Sequence, residues 1–82
     1  MSCAQQTMDT IVEILVGLQK AQTTQEKTMF VAKNATKILE VNLWICKYGH
    51  VVQKNKVRHQ KVWERIKLFR EAIRGLAPPR PL

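Results

Sequence analysis

Apolar residues recur at three- and four-residue spacing along most of this chain, and that repeat constrains the fold more than any other feature. The three prolines all fall within residues 78–81, and glycine occurs only three times in 82 residues. No alternating pattern typical of strands competes with the helical one. The sequence therefore predicts an all-α fold.

The first helix is predicted over residues 7–21. Its apolar side is formed by Met8, Ile11, Leu15 and Leu18. Gly17 also lies within it, although a glycine costs a helix about 1 kcal/mol relative to alanine. We therefore expect another helix to approach Gly17 closely.

The second helix is predicted to be long and central. Thr23 and Glu26 fit a capping box, in which the two side chains satisfy backbone N–H groups at a helix start. No proline follows before Asn55, so a helix of about thirty residues is expected. Gly49 is its weakest point, and a break over residues 48–50 is the alternative.

The third helix is predicted over residues 57–74, where Gly75 supplies a C-cap and Pro78 a stop. Residues 1–76 are thus expected to form one helical domain, and residues 77–82 a disordered Pro-rich tail. The apolar side of this helix carries Val62, Ile66, Phe69, Ile73 and Leu76.

The formal charge of +8 is concentrated in the second half of the chain. Residues 47–82 hold ten Lys/Arg and two acids, whereas the residues before Lys47 hold four of each. This asymmetry is typical of proteins that bind a densely anionic partner, such as nucleic acid or an anionic membrane surface. A chain this short buries little surface, so self-association is also expected.

The cations of the second helix are predicted to share one edge. The rise from Lys33 to Lys54 is about 31 Å, close to one turn of a double helix. Thr36 lies on the same edge and can hydrogen-bond a phosphate or a ribose 2′-hydroxyl. Glu40 interrupts the edge, and Trp44 is expected to be covered by the third helix. Opposite lies the expected packing side, formed by Val31, Ala35, Ile38, Asn42, Ile45 and Gly49.

Nothing in the sequence indicates catalysis or metal binding. Cys3 and Cys46 stand alone, and His50 and His59 lack ligands at metal-site spacing. We therefore expect no enzyme activity, cofactor, metal or small-molecule substrate. The sequence has neither a signal-peptide pattern nor an apolar run of ~20 residues, so a cytoplasmic location is expected, in the host cytoplasm if the protein is viral.

The order of these features resembles a known family. Three helices of increasing basicity, with lysines along one edge of a long central helix, are similar to the dsRNA-binding silencing suppressors of nodaviruses, the B-type proteins. The resemblance covers nearly the whole chain and lies in architecture and charge layout. Ile45-Cys46-Lys47, near the middle of the central helix, is a local similarity.

That resemblance implies an antiparallel homodimer, built as a four-helix bundle from the first two helices of each chain. The long helices would lie along A-form RNA, bind backbone and 2′-hydroxyls without reading sequence, and shield dsRNA and small interfering duplexes from the host silencing machinery. The RNA-binding residues it implies are Lys33, Thr36, Lys37, Lys47, Lys54, Arg58 and Lys61.

Two other functions remain open. In the first, residues 57–74 lie on an anionic membrane surface as a basic amphipathic helix. The side chains that would enter the membrane are Val62, Trp63, Ile66, Phe69 and Ile73. In the second, the basic face binds DNA or an acidic protein, although no short Gly-containing turn of the helix-turn-helix type is present.

Overall fold

The structure, a computed structural model, describes residues 3–76. Its regular elements are four helices, which confirms the all-α prediction: α1 (Cys3–Lys20), α2 (Thr24–Lys33), α3 (Ala35–Lys54) and α4 (Gln60–Ile73). The Pro-rich tail, residues 77–82, lies outside the described residues. α1 begins at Cys3, earlier than the predicted residue 7, and α4 begins at Gln60, later than the predicted residue 57.

The predicted central helix is divided at Asn34, so the structure has four helices where the sequence predicted three. Asn34 has φ −109° and ψ 21°, outside the helical region. Its side-chain amide donates to the Phe30 carbonyl at 2.9 Å, the same oxygen that its backbone N–H reaches at 3.0 Å. Asparagine side chains compete with helical hydrogen bonds in this way, which explains a break where no glycine or proline is present.

The helix does not break at Gly49. This residue lies inside α3 and is buried. A β-carbon placed there would lie 3.3 Å from Cγ2 of Ile45 and 3.9 Å from Nη2 of Arg70. Gly49 is therefore a packing position.

The capping box is confirmed. Thr23 Oγ1 accepts from the Glu26 backbone N–H at 3.0 Å, and Glu26 Oε1 accepts from the N–H groups of Thr23 at 3.1 Å and Gln22 at 2.8 Å. These hydrogen bonds lower the pKa of the Glu26 carboxyl, because they favour its charged form. At the other end of the chain, Gly75 follows α4 with φ 80°, as its predicted role as C-cap requires.

The core closes within one chain, because α4 packs against both α1 and α3. Ile66 and Phe69 of α4 are fully buried, as the spacing of the third segment predicted. Within the central segment, the buried side chains include Val41 and Val52, which the sequence did not single out, whereas Ala35 and Asn42 are only half-buried. The core consists of Met8, Ile11, Ile14, Leu18, Val31, Ile38, Val41, Ile45, Val52, Ile66 and Phe69.

The covering of the core by α4 limits the surfaces through which the expected homodimer could form. The apolar sides of α1 and α3, which were expected to pair with a second copy, are covered by α4 of the same chain. The dimer stays a prediction, and any second copy would have to pack on side chains that remain exposed. Those on the helices are Val12, Val16, Met29, Leu39, Leu43, Tyr48, Val51 and Leu68.

Candidate nucleic-acid interface

The outward side of α3 carries three of the predicted RNA-binding residues in one row. Thr36, Lys47 and Lys54 fall within about 20° of one another around the helix axis and roughly opposite the core residue Ile45. All three are exposed. From Thr36 to Lys54 the row rises about 27 Å. It is shorter than the predicted row because α3 begins only at Ala35.

The C-terminal end of the predicted row also lies outside α3. Arg58 lies in the connection between α3 and α4, because α3 ends at Lys54. Asn55 caps that end much as Asn34 ends α2: its side-chain amide donates to the Val51 carbonyl at 3.0 Å. Arg58 nevertheless stays close to the row, since Lys54, Lys56 and Arg58 line one open depression at this end. Lys56 is a cation that the predicted set omitted.

Lys33 and Lys61 are exposed but belong to neighbouring elements. Lys33 is the last residue of α2, on the far side of the Asn34 break, and Lys61 lies in the first turn of α4. The periodicity of α3 therefore does not fix where either of them lies relative to the row.

Lys37 is engaged elsewhere. Its ammonium donates to Glu13 Oε1 at 2.7 Å, so this ion pair joins α3 to α1. Both side chains are more than half exposed, so the pair stabilises the fold by less than ~1 kcal/mol. It does, however, place a carboxylate on the cation that was expected to meet a phosphate.

α4 brings one further cation to α3 that the predicted set also omitted. The guanidinium of Arg70 lies beside Gly49. Two more omitted cations, Lys67 and Arg74, lie about one turn before and after it in sequence. Lys67 stands 6.0 Å over the Trp63 ring, and Arg74 pairs with Glu71 at 3.3 Å. The spacing of these three cations is visible in the sequence, but the nearness of Arg70 to α3 depends on how the helices pack.

An aromatic pair adjoins the row. Trp44 and Tyr48 lie one turn apart on α3, with ring centroids 5.3 Å apart and planes inclined by 47°. The ammonium of Lys47 stands 5.5 Å over the Tyr48 ring. Trp44 is half-buried against the core, and Tyr48 is exposed. The two rings border an open, almost entirely apolar pocket of about 270 Å³.

The apolar side of α4 is used by the core. Ile66 and Phe69 are fully buried, and Val62, Trp63 and Ile73 pack against the same cluster. A membrane-surface role for these five side chains would require α4 to leave α1 and α3. Over residues 3–76, no helix combines the length and apolar character needed to cross a bilayer.

The described residues offer no grouping of three or more His, Cys, Asp or Glu side chains suited to a metal ion. Comparisons of the chain with family models, with curated proteins and with solved structures find no match.

Proposed function

We propose that this protein binds double-stranded RNA through its backbone, without reading base sequence. The observation that carries the proposal is the exposed row of Thr36, Lys47 and Lys54 on one side of α3, continued by the cations of the following connection. Glu40 is exposed on the same side and reduces the positive potential locally. The net charge of +8 supplies the long-range attraction to a polyanion.

Double-stranded RNA suits a straight helical edge of this kind. The major groove of A-form RNA is too deep and narrow for side chains to read, so proteins bind its phosphates and the 2′-hydroxyls of its shallow minor groove. Lysines can contact the phosphates as point charges, and the Thr36 hydroxyl can hydrogen-bond a 2′-hydroxyl. The row is long enough to reach across a groove.

Homodimerisation, and the shielding of dsRNA and small interfering duplexes from a silencing machinery, belong to the same proposal. They rest on the similarity of charge layout to the nodavirus B-type proteins. Because α4 covers the apolar sides of α1 and α3, a dimer would have to form through another surface. A dimer that binds RNA must also leave the row on α3 open to the duplex. The exposed valines of α1, Val12 and Val16, belong to a different helix from the row and are candidates for such a contact.

A mobility-shift titration tests the proposal. The purified protein is titrated against a ~20 bp RNA duplex, a duplex of unrelated sequence and the matching DNA, each at two salt concentrations. We expect similar binding of the two RNA duplexes, a steep loss of affinity with salt and weaker binding of DNA.

Charge-reversal variants locate the surface. Lys47→Glu and Lys54→Glu should abolish the shift, whereas Lys20→Glu, the same change on an exposed residue of α1, should reduce it only slightly. Circular dichroism and size-exclusion chromatography check that each variant keeps its fold and oligomeric state. Equal losses in all three variants, or equal affinity for RNA and DNA, would contradict the proposal.

A further inference from the structure

The pocket beside Trp44 and Tyr48 is a candidate ligand site in its own right. It lies between the C-terminal half of α3 and the start of α4, and its lining includes Trp44, Tyr48, Val51, Val52, His59 and Val62. At about 270 Å³ it falls just below the usual range for drug-sized ligands, so it suits one flat group better than a whole ligand.

We propose that this pocket receives one unpaired nucleobase of a bound RNA, such as a base in a single-stranded overhang. The proposal rests on the proposed binding of double-stranded RNA and adds a second kind of contact to it. A base offers two flat faces for aromatic side chains, and stacking of this kind is indifferent to sequence. Because the two rings are inclined by 47°, a base stacked on one ring presents its edge to the other.

The charges around the pocket favour a ligand with a phosphate backbone. Its lining contains no acidic residue. Lys47, whose ammonium stands 5.5 Å over Tyr48, belongs to the row on α3, and Arg58 directly precedes the lining residue His59. A base in the pocket would therefore have Lys47 close by for a flanking phosphate, and the depression lined by Lys54, Lys56 and Arg58 lies further along the same chain segment. The His59 imidazole can hydrogen-bond the edge of the base.

The pocket and the row are continuous. Lys47 and Tyr48 are neighbours in sequence, and Val51 follows Lys47 by one turn. A duplex lying along the row would thus have the pocket at its flank, where a strand that leaves the duplex can turn inward. A base paired inside the duplex cannot enter, because both of its faces are occupied by stacking.

The test compares two RNA duplexes with the same paired sequence, one blunt and one with two-nucleotide 3′ overhangs. If one overhanging base stacks in the pocket, the wild-type protein should bind the overhanging duplex at least about fivefold tighter than the blunt duplex. Tyr48→Leu should remove that preference, whereas Tyr48→Phe, which keeps the ring, should retain it. Because Lys47 stands over this ring, any loss of duplex affinity in Tyr48→Leu should be equal for the two duplexes and leave their ratio at one. Tyr48 is exposed, so neither variant disturbs the core, and thermal melts check this.

The outcomes separate the two proposals. Binding of both duplexes with equal affinity, or a preference that survives Tyr48→Leu, overturns the base pocket and leaves duplex binding intact. Binding of a single strand or overhang without any binding of the blunt duplex overturns the proposed function and supports the pocket. No binding of any RNA overturns both.

Discussion

The ring of Phe30 on α2 lies directly against the backbone of Gly17 on α1, in the space that a β-carbon on Gly17 would occupy. α1 and α2 can therefore meet at this point only because residue 17 has no side chain. The close approach of another helix, expected from the sequence, is made here by a single aromatic ring.

Gly17→Ala should consequently destabilise the protein, although alanine favours a helix. Overpacking against Phe30 costs about 1–3 kcal/mol, which outweighs the ~1 kcal/mol gained in helix propensity. Urea denaturation measures the change. In a Phe30→Ala background the same substitution should become neutral or stabilising, and a loss of equal size in both backgrounds would mean that Phe30 is not the obstacle.

The capping box gives stability a pH dependence. The pKa of Glu26 is lowered in the folded protein by hydrogen bonds from the backbone N–H groups of Gln22 and Thr23. The resulting stabilisation is fully present above the ordinary pKa of a glutamate and is lost as the pH falls through the lowered value.

Glu26→Gln should therefore flatten the stability profile between neutral and acidic pH. Denaturant midpoints measured from pH 7 to pH 3 test this, with Glu40→Gln as a control that removes an exposed carboxylate from α3. If the two variants show the same profile, the hydrogen bonds of the capping box do not explain the dependence.

Two neighbouring residues of α4 should differ sharply in their contribution to stability. Phe69 is fully buried, whereas Leu68 is 57% exposed. Phe69→Ala should cost about 3–5 kcal/mol, and Leu68→Ala should stay within ~1 kcal/mol. Chemical denaturation of both variants checks the comparison. Similar losses would indicate that α4 does not pack on α1 and α3 through this side.

Glu13 should lower the affinity for RNA, because it pairs with Lys37. Glu13→Gln frees the ammonium for a phosphate and should raise RNA affinity by up to about fivefold, since an exposed ion pair is worth ~1 kcal/mol or less. Adding Lys37→Gln should abolish the gain. Mobility-shift titrations at low salt measure it, and an unchanged affinity in Glu13→Gln would remove Lys37 from the interface.

Local features of this fold could be predicted from the sequence, whereas features that depend on helix packing could not. The Thr23–Glu26 cap, the turn at Gly75 and the buried side of α4 follow from short-range patterns. The break at Asn34 was missed because asparagine is a weak signal that depends on where its amide points. Gly49 was correctly assigned to the packing side of the helix, whereas the alternative of a helix break at this residue was wrong.

The candidate interface was likewise predictable only where it depends on local sequence. Helical periodicity alone brings Thr36, Lys47 and Lys54 to one side of α3. It cannot reveal that Lys37 meets Glu13 on another helix, or that Arg70 reaches Gly49 from a segment twenty-one residues further along the chain. The pocket beside Tyr48 escaped prediction for the same reason, because α3 and the start of α4 form it jointly.

The packing of α4 over α1 and α3 has a consequence for how the chain is made. Synthesis proceeds from the N-terminus, so the first three helices are complete before Ile66 and Phe69 exist to cover them. Until then, the surface of α1 and α3 that α4 covers is open to water or to another nascent chain, and exposed apolar surface of this kind favours association. This part of the core can therefore close only after α4 has been synthesised.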